Sequence, residues 1–180
     1  STRKEMFDYV VKELKEIEPN MPLQNDYGRA TKSAVRMLLA KLYLNAEVYT
    51  GTPMYNEALD YSNKIINEGG FTLAPKFVSL FSGDNDKTAA KNEIIYALIA
   101  DPIVSQSYGN VTYIINGNMS DATMQPTDFG NPGGAGNAWQ GHRATKAWYG
   151  LFGNSASALA SSTDDRAKLF WTSGHNFEMT

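Results

Sequence analysis

The chain has 180 residues, a formal net charge of −3, 42% hydrophobic residues and no cysteine. This length suits one domain or a portion of a larger one. The charge balance offers no hold on nucleic acid or an anionic lipid surface, and the missing thiols exclude disulfide staples, thiol nucleophiles and thiolate metal sites. No apolar run approaches the roughly 20 residues of a membrane-spanning helix.

Thr2 and Glu5 have the spacing of a capping box. Phe7, Val10, Val11, Leu14 and Ile17 follow at helical intervals, and Pro19 and Pro22 end the helix. Thr31 is placed to cap a second helix. There Val35, Leu38, Leu39, Leu42, Tyr43 and Ala46 share a face until Gly51 stops it. Thr52 and Pro53 suit the N-cap and first position of a third helix, with Tyr55, Ala58, Leu59, Ser62, Ile65 and Ile66 as its stripe and Gly69-Gly70 as its end. Two striped helices joined this briefly pack antiparallel. The small residues Ala40, Ala46 and Ala58 permit close approach, a large-small alternation typical of tetratricopeptide pairs, whose period is ~34 residues. One pair cannot bury its own stripes, so partner helices are required from the first helix and elsewhere.

After Gly70 the character changes. The apolar, β-branched run "NEIIYALIA" (92–100) reads as a buried strand, and "VTYIIN" (111–116) as a short one. "ATKAWYGLF" (144–152) predicts a short helix, and the segment after it a loop leading to one further element. The stretch 101–141 is otherwise rich in Gly, Asn, Pro and Ser, yet it holds Tyr108, Tyr113, Phe129 and Trp139. A connection that long is uncommon unless it has a task, and its aromatics argue that it is ordered over the scaffold.

Catalytic and metal motifs are sparse. His142 and His175 are not in metal-ligand spacing, and no G-x-S-x-G elbow occurs. Asp101, Asp121, Asp128, Asp164 and Asp165 could supply a hydrolytic carboxylate pair, but no motif frames them. "GDNDKTAAKNE" has acids at Asp84 and Asp86, then departs from a calcium loop at Thr88, Ala89 and Ile95. "GNPGGAGN" lacks the ending of a phosphate-binding loop. There remain Tyr108 in "SQSYGNVTY" and Trp139 in "GNAWQGHR". A flat aromatic face removes the apolar face of a pyranose from water. Asn110, Asn137 and Gln140 offer partners for the hydroxyls at its rim. Local packing of the two rings is the plain alternative.

The order of "YGRATKSAVRMLLAKLYLNAEVYTG", "YNEALDYSNKIINEGGFTL", "LFSGDND" and "NEIIYALIAD" resembles the SusD family of surface glycan-binding lipoproteins from Bacteroidetes-type bacteria. The likeness extends to "DDRAKLFW" (164–171) and is strongest to the starch-binding branch. It implies a mainly α, SusD-like superhelical fold, with tetratricopeptide-like helix pairs scaffolding a long irregular region and a few short strands. Residues 1–70 would be the scaffold and 71–180 the ligand-display region of the same domain. It also implies that Tyr108 and Trp139 stack on sugar, and that a starch-like glucan is held without chemistry. The glucan would then be delivered to a SusC-like, TonB-dependent transporter at the outer membrane. No cofactor is implied beyond a structural calcium at Asp86. Family members are far longer, so the chain is expected to be a middle portion, with further ligand contacts and the lipidated cysteine in other segments. A tetratricopeptide scaffold for protein contacts and a glycoside hydrolase are the rival readings.

Overall fold

The computed structural model describes residues 2–99, 104, 110–119, 139, 141–142, 144–153 and 156–169. The chain divides into two units, Ser1–Ile99 and Ala100–Thr180.

In the first unit the capping box closes as expected. The Glu5 N–H donates to Thr2 Oγ1 at 3.2 Å, and the Thr2 N–H donates to Glu5 Oε2 at 2.8 Å. Helix α1 (Arg3–Ile17) then gives way to a 3₁₀ turn, Glu18–Asn20, that holds Pro19. Helix α2 (Lys32–Leu44) packs chiefly against α4 (Tyr55–Glu68), and the short α3 (Ala46–Thr50) packs against α1. Arg36 reaches Glu68 while Tyr43 stacks on Tyr61, so α2 and α4 run antiparallel. The core gathers Phe7, Val35, Leu39, Ala40, Tyr43, Ala46, Ala58 and Tyr61. All three alanines named from the sequence are inside it, where a larger side chain would hold the helices apart.

The stripes are rotated from their expected positions. Leu38, Leu59 and Ile66 are exposed, while Arg36 and Tyr61 are buried. The expected continuous helix to Gly51 breaks at Asn45, whose side-chain amide donates back to the Lys41 carbonyl at 2.8 Å. Gly51 stops α3 in the left-handed region, φ 80°. Helix α4 starts later than expected, with Met54 rather than Thr52 as its N-cap. The Thr52 N–H donates to Thr50 Oγ1, so the junction is tied to the preceding helix. Thr31 does precede α2, but its hydroxyl makes no capping bond.

The second unit carries α5 (Asn110–Asn118), α6 (Lys146–Gly150), α7 (Ala156–Ala160) and a 3₁₀ turn, Asp165–Leu169. Thr145 Oγ1 accepts from the Trp148 N–H at 3.2 Å, a capping bond for α6. The architecture is mainly α, and no strand occurs among the described residues. Both expected strands are corrected. "VTYIIN" lies within α5, where Val111, Ile114 and Ile115 also satisfy helical spacing. The run from Ile94 to Ile99 follows a 3₁₀ turn, Ala89–Asn92, without strand pairing, and leaves Tyr96, Leu98 and Ile99 exposed. Helix α7 also forms within the segment expected to be loop.

Candidate functional site

Helix α5 is the base of an aromatic cluster in the second unit. The Trp139 N–H donates to the Asn116 carbonyl, and the His142 N–H to the Gly117 carbonyl, each at 2.8 Å. These are orphan carbonyls of the last helical turn, which need donors from outside the helix. The two bonds bring the segment bearing Trp139 back to the face of α5 that carries Tyr113. The Tyr113 and Trp139 ring centroids lie 6.3 Å apart with planes inclined at 52°. His142 meets Tyr113 edge to face, at 4.7 Å and 75°. Both separations lie in the range of favourable aromatic contact.

Trp139 keeps 38% of its surface accessible and Tyr113 keeps 53%, while His142 is half-buried. Two inclined rings, each partly open to water, offer apolar faces to a ligand whose own apolar faces turn from one unit to the next. A flat ribbon would meet only one ring squarely.

Of the two sugar-stacking residues expected from the sequence, Trp139 is in this cluster. Tyr108 lies outside the described residues, as do Asn137 and Gln140. Asn110 opens α5. Tyr113, one of the aromatics of the 101–141 stretch but not among the expected stacking residues, is the ring that Trp139 meets. The available signal was Gly117, a helix-disfavouring residue directly after that run. Such a glycine inside a helical pattern points to something packed close against the backbone.

A second feature of this unit is the Asp164–Arg166 pair. Arg166 Nη2 donates to Asp164 Oδ2 at 2.6 Å and Nε to Oδ1 at 2.9 Å. These side-chain bonds, aided by the Arg166 N–H, hold the Asp164 carboxyl down at about 2. The guanidinium also lies over Phe152, 5.5 Å from its centroid, and Phe152 meets Trp148 edge to face. A glycosidic general acid needs a raised pKa, so Asp164 is tuned the opposite way. Asp101, Asp121 and Asp128 lie outside the described residues.

Concavities also occur in the first unit. A cleft of about 320 Å³ lies between the loop before α2 and the segment 91–97, and includes Tyr27, Arg29, Thr31, Lys91 and Tyr96. An apolar groove of about 390 Å³ is lined by Met6, Phe7, Val10, Leu42 and Tyr49. In the turn 82–88, Asp84 Oδ1 accepts from the Ser82 hydroxyl at 2.8 Å, and Asp86 is exposed. No group of three His, Cys, Asp or Glu able to hold a metal occurs among the described residues. The acids of this turn therefore do not form a calcium cage by themselves. No described helix is long and apolar enough to cross a membrane.

No protein-family model matches the chain. Among curated proteins, the starch-binding protein SusD of Bacteroides thetaiotaomicron is 40% identical over 116 residues. The match covers 63% of this chain and 21% of that relative.

Proposed function

We propose, from its 40% identity over 116 residues to starch-binding SusD, that this chain belongs to the SusD family and takes part in non-catalytic binding of a starch-like glucan at the cell surface. Trp139, with Tyr108, stacks on the apolar faces of malto-oligosaccharide units, and Tyr113 joins them as a further ring. The glucan then passes to a SusC-like, TonB-dependent transporter in the outer membrane, where the protein sits as a lipoprotein. The observation that carries this reading is the Tyr113–Trp139 pair, open to solvent and tied to α5 by two main-chain bonds. The starch-binding relative supports the choice of ligand.

Binding here is capture without bond breaking. Burying ring and sugar faces together releases water from both, while hydroxyls at the rim keep their hydrogen bonds. Affinity electrophoresis in amylopectin gels tests the proposal. Trp139→Ala is expected to weaken retardation about tenfold, on the order of 1.4 kcal/mol of lost contact, with no reducing sugar released by either form. Unchanged migration of the unsubstituted protein in amylopectin would overturn it.

A scaffold for protein contacts is the second reading, favoured by the apolar groove between α1, α2 and α3. It predicts that replacing Trp139 leaves every binding readout unchanged.

A further inference from the structure

The aromatic pair needs a support, since an exposed phenol on a helix surface has more than one side-chain rotamer open to it. We propose that His142 is that support: a positioning residue, seated on Gly117, that sets the Tyr113 ring at its inclination to Trp139. This rests on the glucan-binding reading and deepens it by assigning a residue that acts through the stacking rings.

Three observations converge on His142. Its main-chain N–H is held by the Gly117 carbonyl at 2.8 Å, which places its Cα beside the last turn of α5. Its imidazole lies where a side chain on Gly117 would begin: a Cβ there would stand 2.7 Å from both Cε1 and Nδ1. Its ring then abuts the Tyr113 ring at 4.7 Å and 75°. The imidazole is thus held between helix backbone and phenol, and Gly117, itself buried, leaves room for it. A helix ordinarily favours almost any residue over glycine. At position 117 a larger residue would push the imidazole outward, and the imidazole would carry Tyr113 with it. Trp139 is anchored one residue earlier on the same helix, through Asn116. The angle between the two sugar-facing rings is therefore set by adjacent carbonyls and one interposed imidazole.

Retardation in amylopectin gels and quenching of tryptophan fluorescence by maltoheptaose test this on purified protein, with circular dichroism as the check of folding. His142→Ala and Gly117→Ala are each expected to weaken retardation about fivefold. His142→Phe, which keeps a ring against Tyr113, should restore it to within about twofold. The two alanine changes should also be non-additive, because removing the imidazole removes the clash. Rescue by a ring with no nitrogen would show that the imidazole acts through its shape against Tyr113, and unchanged circular dichroism in His142→Ala would exclude loss of the fold as the cause of weaker binding. Full loss in His142→Phe, with the fold intact, would overturn the inference and make the imidazole nitrogens direct sugar ligands. Wild-type binding by folded His142→Ala, with loss in Trp139→Ala, would overturn it while leaving glucan binding standing. If Trp139→Ala and Tyr113→Ala both bind as the unsubstituted protein does, the ring pair is not the sugar site and the inference fails with it; if the unsubstituted protein is not retarded at all, the glucan reading itself fails.

Discussion

Tyr61 shows how a single residue changes character on folding. In the sequence it is one more aromatic on an amphipathic helix, outside the expected stripe. In the fold it is 7% exposed and stacked on Tyr43, with ring centroids 5.8 Å apart. Burial, chiefly, pushes its phenol up from the ordinary 10 to about 12, and the nearby negative charge of Glu18 adds to this. The neutral phenol is the form the fold prefers. Its contribution to stability is therefore complete below pH 10 and is lost as pH rises from 10 through about 12. Phenolate absorbance should follow that late step in the native protein. Tyr61→Phe should remove this share of the alkaline loss of stability, as read by thermal melting between pH 9 and 12 in steps of about one unit. A Tyr61 that ionises at the ordinary value in folded protein would contradict the packing.

Among elements, the antiparallel pair α2–α4 is joined by apolar contact and by one buried cation. Arg36 Nε donates to Glu18 Oε1 at 2.8 Å, and Nη1 to Glu68 Oε2 at 2.7 Å. One guanidinium thus ties the 3₁₀ turn after α1 to both helices. The fork geometry of arginine lets it serve two carboxylates at once, which lysine cannot match. Arg36→Ala removes both bonds and leaves Glu18, whose side chain is 17% exposed, without its partner. The expected cost is about 2 to 3 kcal/mol in chemical denaturation. Arg36→Met should cost less, because it keeps the packing of the stem. Equal losses in the two variants would show that the lost charge, not the packing of the stem, is what matters there. The hydrophobic spacing that predicted this pair identified Leu39, Tyr43 and Ile65 correctly. It could not identify Arg36, because a cation is buried only where partners from other segments meet it.

For the molecule as a whole, the proposed glucan binding rests on shape. Two rings inclined at 52° suit a chain that coils, whose successive sugar faces are themselves inclined. A cyclic malto-oligosaccharide should therefore compete with amylopectin for the protein in affinity gels at least about tenfold better than a linear β-1,4-glucan oligomer of equal length. Equal competition would remove shape as the basis of choice. The exposed apolar residues of the helical unit, among them Leu38, Leu59 and Ile66, were expected to be inward, and the difference is a rotation of each stripe. Their helical spacing holds; which edge of the stripe meets the neighbouring helix depends on the crossing of the pair.

Local chemistry determined much of this protein from the sequence alone. The Thr2–Glu5 cap, the proline stop after α1 and the glycine stops at 51 and 69 follow from residues within a few positions of one another, and the pairing of α2 with α4 follows from two apolar stripes joined by a short connection. Short-range preferences of this kind act on any chain that carries them. Tertiary structure alone decided that 111–116 is helix rather than strand, since a β-branched run satisfies either period until a partner strand is present or absent. It also decided that Tyr113, Trp139 and His142 meet. Those residues are joined through the free carbonyls at the end of α5, and no local spacing encodes which distant N–H will come to satisfy them.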